Sequence, residues 1–153
     1  MRVAFVGKGG SGKSTLSAAF ASYLAANTTS AVAVFDADLN IHTPELLGFD
    51  LFPLAKHLSN PMSSESIKRW LIGDNNIRDL AMFRKTTPPT NQSKIIKIEK
   101  LVDTPLINYC ESRDNLFILA VGTYQPSDVG ASCYHNNLAI FENILGHLDD
   151  RSG

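Results

Sequence analysis

Gly7, Gly12, Lys13 and Ser14 occupy the fixed positions of a G-x-x-x-x-G-K-[ST] pattern, within Gly7-Lys8-Gly9-Gly10-Ser11-Gly12-Lys13-Ser14-Thr15. The chemistry of such a stretch is phosphate capture. Glycines let the backbone curl so that successive N–H groups point inward at an anion. A helix beginning near Lys13 adds the positive end of its dipole. The Lys13 ammonium suits the β- and γ-phosphates of a nucleotide, and the Ser14 hydroxyl suits Mg²⁺. Gly9, Gly10, Ser11, Gly12 and Thr15 complete the cradle, so ATP and Mg²⁺ are the expected ligands.

A second group that could do chemistry is Asp36-Ala37-Asp38-Leu39-Asn40, which closes an apolar run. Ligands of open α/β sheets bind beyond the carboxyl ends of the strands. Two carboxylates there would stand where a metal and an attacking water are needed. An Asp pair capping a turn is the plainer alternative. A third is Cys133-Tyr134-His135, a thiol and an imidazole two residues apart. An i, i+2 pair shares one side only in extended chain. A small buried cysteine beside a helix-start histidine is the plainer reading.

These residues need elements to hold them. Val3-Ala4-Phe5-Val6 is expected to be the strand that enters the loop. The helix leaving it carries Leu16, Ala19, Phe20, Tyr23 and Leu24 on one face. Ala31 to Phe35 reads as a second buried strand. It is apolar without alternation, as in a parallel sheet covered on both faces. The two strands imply a right-handed βαβ crossover. Thr43-Pro44-Glu45-Leu46-Leu47-Gly48 reads as a short helix with Thr43 as N-cap. Ser64 to Ile72 is a helix anchored by Ile67, Trp70 and Leu71. Arg84 to Ser93 is a polar loop, and Lys94 to Val102 fits helix or strand. Leu116 to Val121 is a third strand. His135 to Leu148 is a helix with Leu138, Phe141, Ile144, Leu145 and Leu148 as its buried stripe. The fold class is α/β, a three-layer P-loop architecture with a mostly parallel sheet. The organisation is a single domain over 1–153 with an irregular basic insert at about 51–113.

The loop, with Lys8 directly after Gly7, resembles the deviant Walker-A loop of the MinD/ParA/nitrogenase-iron-protein ATPases. In that family the early lysine reaches the partner's phosphates across a nucleotide-sandwich homodimer, and the resemblance gives that role to Lys8. Asp36-Ala37-Asp38 resembles the family's switch I segment. The resemblance implies that Asp38 positions the attacking water or its metal neighbour, with Asp36 supporting the Mg²⁺ site. Many relatives carry Pro where this chain has Leu39. Residues 130–135 resemble the place where nickel-insertion ATPases for carbon monoxide dehydrogenase carry Cys-x-Cys. Cys133 and His135 would then form half of a Zn²⁺ or nickel site shared between two subunits. This implies a dimeric ATP hydrolase serving metallocentre maturation through a client protein that the residues do not identify. Two alternatives stand beside it: a nucleotide-binding fragment without turnover, and a ParA-like partitioning ATPase that binds DNA.

The resemblance also implies an absence. Relatives have an acidic strand, Asp-x-x-Gly, directly after the helix that here ends near Leu148. No apolar run after Asn40 ends in Asp. The expectation is an incomplete sheet with unpaired strand edges.

Composition sets the outer bounds. The chain has 153 residues, 44% of them apolar, with a formal net charge of −1. That is one domain with room for a core. It offers no whole-chain electrostatic argument for nucleic acid or membrane. The insert is the exception, with nine basic residues against four acidic ones between Lys56 and Lys100. It could grip a polyanion, dock an acidic protein, or simply be a solvated surface. Two cysteines are too few for a disulfide framework, and an ATP site implies the cytoplasm, so thiols are expected. No apolar run approaches membrane-spanning length.

Overall fold

The computed structural model describes residues 1–38, 40–76, 79–83, 87–123 and 134–149. A three-stranded sheet lies between two helical layers. Its elements in chain order are α1 (Lys13–Asn27), β1 (Val32–Asp36), α2 (Thr43–Leu46), α3 (Pro61–Ile72), β2 (Glu111–Arg113), β3 (Leu116–Ala120) and α4 (Tyr134–Gly146), with short 3₁₀ turns between α2 and β2.

The strand order is β1-β3-β2. β1 and β3 run parallel, Val32 opposite Leu116 through Asp36 opposite Ala120. β2 is antiparallel to β3, with Glu111 facing Ile118 and Arg113 facing Leu116. The sheet is therefore mixed where a mostly parallel one was expected. The cause is local. Asp114 takes a left-handed φ of 53° and lets the chain turn straight back. The Asn115 amide then reaches across to donate to the carbonyls of Ala25, Thr28 and Ser30, tying the hairpin to the end of α1.

Strand β3 is buried along its whole length, which explains its unbroken apolar sequence. Phe117 and Leu119 face a core with Leu58, Ile67, Leu71, Leu101, Leu106, Ile140 and Ile144, beneath α3 and α4. Leu116, Ile118 and Ala120 face a smaller core with Ala18, Ala21, Leu47 and Phe52, beneath α1 and α2. Both cysteines were expected as thiols. Cys110 is a free, buried one, and Cys133 lies outside the described residues.

Three expectations are corrected. Residues 3–6 form no strand, and Val3 and Val6 are 52% and 88% exposed. Among the described residues nothing pairs with the outer edge of β1, and residues 3–6 do not fill it. The βαβ crossover built on it is not formed either. The segment is held at its ends instead. Arg2 donates to the carbonyls of Leu145 and Leu148 at 3.1 and 2.7 Å, and the Phe5 ring meets Phe20 at 5.8 Å.

The second correction is the face of α1. Its buried residues are Ala18 and Ala21, whereas Leu16 and Tyr23 are exposed. Small side chains let the helix approach the sheet closely, and the large apolar ones point away. The third is the stripe of α4. Its fully buried positions include Ile140 and Ile144, but also Asn143, and His147 just past its end is fully buried too. Leu138, Phe141, Leu145 and Leu148 sit at the margins, half-buried. Elsewhere α3 begins three residues earlier than expected, because Asn60 caps it by accepting the Met62 amide. In the ambiguous 94–102 stretch, Ile96 bridges Leu148, and 3₁₀ turns follow from Ile98.

Candidate functional site

The glycine loop is curled. Gly10 and Gly12 take φ of 74° and 80°, values that only glycine adopts cheaply. The Ser11 amide donates to the Lys8 carbonyl at 3.3 Å, closing a turn inside the loop. A Cβ on Gly7 would stand 2.8 Å from the Ser11 hydroxyl, so a side chain there would have to turn that hydroxyl aside.

Helix α1 starts immediately afterwards, with Gly12 as an N-cap that has no side chain to offer. Its first turn holds no acidic residue. Its first hydrogen bond is Leu16 N–H to the Gly12 carbonyl, at 2.9 Å. The amides of Lys13, Ser14 and Thr15 find no acceptor among the described residues. An uncapped 15-residue helix thus aims its positive end into an exposed glycine cup. The Lys13 ammonium lies back on the Lys8 carbonyl at 3.1 Å. That single hydrogen bond is one an arriving anion can displace. The donor set therefore suits a phosphate chain, and Ser14 at the first turn offers a hydroxyl beside it.

The carboxylates lie at the carboxyl end of β1. Asp36 is the last residue of that strand and is 6% exposed. One of its oxygens accepts the Asp38 amide at 3.0 Å, and the other accepts the Thr43 amide at 3.1 Å. Its backbone carbonyl accepts from Val121, which follows β3. Asp38 is half-buried, and one of its oxygens accepts the Asn40 amide at 3.3 Å. Leu39 lies outside the described residues. His42, not the expected Thr43, stands at the N-cap of α2 and makes no side-chain cap there, because Thr43 is already the first helical residue.

The chain end of β3 carries a feature that sequence reading passed over. His57 and Ser59 pack against Gly122, where a Cβ would stand 2.8 Å from the imidazole Nδ1 and 2.7 Å from the Ser59 hydroxyl. Burial holds the His57 imidazole below its usual pKa, against a smaller opposing pull from a backbone hydrogen bond at Phe52. Only the glycine at 122, in a short run of small residues, hints at this in the sequence.

Cys133 and the side chain of His135 lie outside the described residues, and so do Arg78, Arg84 and Lys85 of the basic insert. Among the described residues no group of three or more His, Cys, Asp or Glu is placed to hold a metal. An open groove of about 470 Å³ is lined by Glu65, Arg69, Ile72, Gly73, Asn75, Asp79 and Leu80, and no phosphate-loop residue borders it. Among the described residues no helix is long and apolar enough to cross a membrane.

Comparison with known families gives one match. The family described as CbiA, the CobQ/CobB/MinD/ParA nucleotide binding domain, matches residues 3–126. That span contains the glycine loop, both aspartates, the whole sheet and the insert. No curated protein and no solved structure matches the chain.

Proposed function

Because the chain belongs to the CobQ/CobB/MinD/ParA nucleotide-binding domain family, we propose that it binds ATP with Mg²⁺ and acts as a nucleotide-dependent dimeric switch. The observation that carries this reading is the set of unpartnered amides at Lys13, Ser14 and Thr15, facing a curled glycine loop. Lys13 neutralises the β- and γ-phosphates after leaving the Lys8 carbonyl, and the Ser14 hydroxyl holds Mg²⁺. The metal would neutralise charge developing between the phosphates. Lys8, exposed at the rim of the loop, is free to reach the phosphates of a second copy. Asp38 orients the water. Positioning and electrostatic stabilisation are most of what phosphoryl transfer asks of a protein.

The test is Lys13→Ala. Calorimetry should show ATP affinity reduced at least a hundredfold, the loss of about 3 kcal/mol that goes with a charge-assisted contact. Affinity equal to that of the parent chain would overturn the reading.

A second reading, binding with little turnover, is favoured by one observation. The outer edge of β1 is unpaired, and no second strand end bears an acidic residue near the loop among the described residues. ATP binding without phosphate release would favour it. The finer assignments have their own measurements. Service in metallocentre maturation calls for Zn²⁺ or Ni²⁺ binding that Cys133→Ser removes. A partitioning role calls for DNA affinity that falls steeply with salt.

A further inference from the structure

Asp36 stands where a metal ligand would be expected, yet its hydrogen bonds give it other work. Both carboxylate oxygens are engaged by backbone N–H groups on the far sides of one short segment, Asp38 at its start and Thr43 at its end. The side chain is buried, and its own carbonyl is tied to Val121 of the central strand's exit. A carboxylate that accepts two amides at 3.0 and 3.1 Å is held by the chain through one lone pair on each oxygen, and burial restricts access to the other two. By contrast, Asp38 contributes one oxygen to a single longer contact at 3.3 Å.

We infer that Asp36 is a positioning residue, a two-pronged anchor that fixes where Asp38 stands relative to the sheet, and that Asp38 is the one of the pair left open to the attacking water. The inference rests on the nucleotide reading for its functional consequence, but its structural half stands independently. Loss of the anchor frees residues 38–43 at both ends, so the geometry of Asp38 is lost while the phosphate cup remains. Asparagine at 36 keeps one acceptor and sets an N–H against the second amide. Alanine removes both acceptors.

The experiment compares the parent chain with Asp36→Asn and Asp36→Ala, using amide hydrogen exchange and Mg²⁺ titration of ATP binding. In the parent, the amides of Asp38 and Thr43 should exchange at least tenfold more slowly than those of Ile41 and His42, a result that needs no variant to fold. Asp36→Ala should speed both amides at least tenfold, and Asp36→Asn at least one, with exchange in α1 unchanged. The Mg²⁺ concentration for half-maximal ATP binding should stay within threefold of the parent. Where the parent turns over, single-turnover phosphate release at saturating ATP should fall at least tenfold at unchanged ATP affinity. A split of that kind would not follow from general loosening.

Unprotected Asp38 and Thr43 amides in the parent would overturn the inference. So would a tenfold rise in the Mg²⁺ requirement, the signature of a lost ligand. If the parent binds no ATP at all, the nucleotide reading fails, and the exchange measurements still decide the anchor.

Discussion

Gly73 shows how one residue can decide a local structure. It ends α3 with φ 62° and ψ −130°, and a Cβ there would stand 2.2 Å from the Gln92 carbonyl oxygen. The clash is with backbone, which cannot swing aside as a side chain can. Strain in φ and the overlap each cost about 1–3 kcal/mol, so Gly73→Ala should destabilise the chain by roughly 3 kcal/mol or more. Urea unfolding would measure it, and a midpoint unchanged from the parent would refute the geometry. Asn143 is the converse case, a buried side chain that gains nothing visible. Neither its amide nitrogen nor its oxygen has a hydrogen-bond partner among the described residues, and it is 1% exposed. Asn143→Leu keeps the volume and removes the unmet polarity. It should raise stability by about 1–2 kcal/mol. A loss instead would reveal a partner at that position, such as a buried water.

At the scale of elements, the turn that ends α4 and the segment leading into α3 each carry a buried histidine. His147 is fully buried against the Phe83 ring at 5.7 Å, its Nδ1 sits 2.8 Å from the Asn143 carbonyl, and Nε2 has no partner among the described residues. A neutral ring with its proton on Nδ1 meets that arrangement. A second proton on Nε2 would have nothing to bind. Burial therefore lowers the pKa of His147, as it does that of His57. The unfolded chain takes up these protons near pH 6.5, before the folded chain does. Stability is then fully present above about pH 6.5 and falls as pH drops below it. Thermal melts from pH 7.5 to 5 should show this fall, and His147→Gln should flatten part of it. A profile flat to pH 5 in the parent chain would remove the argument. Cys110 is set apart from this. Burial raises its pKa, with the Lys56 charge pulling the other way, so it stays a neutral thiol across the same range.

The whole molecule leaves strand edge and apolar surface uncovered. The outer edge of β1 is unpaired among the described residues, Val3 and Val6 stand beside the route into the loop, and Leu16 and Tyr23 face outward from α1. Open strand edges and clustered exposed apolar residues promote association. The chain should therefore self-associate with rising concentration, as read by sedimentation velocity. The pair Val6→Lys with Leu16→Lys should reduce that association without lowering the melting temperature. Association unchanged in the double variant would place the contact elsewhere. The expected nucleotide-dependent dimer is separable from this, since only it should depend on ATP and on Lys8.

Much of the candidate site was legible locally. The phosphate loop, the start of α1, the Asp36–Asp38 pair at a strand end, β1 and β3 all follow from short-range rules about glycine, helix ends and apolar runs. What failed was whatever depended on a neighbour. Residues 3–6 carry a strand's composition, yet a strand exists only when another lies beside it, and pairing is not written in four residues. The buried face of α1 went to alanines because helix and sheet settle by close approach, while the larger apolar side chains had supplied the periodic signal. Asn143 and His147 lay outside the apolar stripe that periodicity picks out, and packing closed over them. Asp36 was expected to support the Mg²⁺ site beside Asp38. Only the fold, by bringing the Thr43 amide back to β1, gave the two carboxylates different partners. Covalent neighbours fix what a residue can do, and through-space neighbours fix which of those things it does.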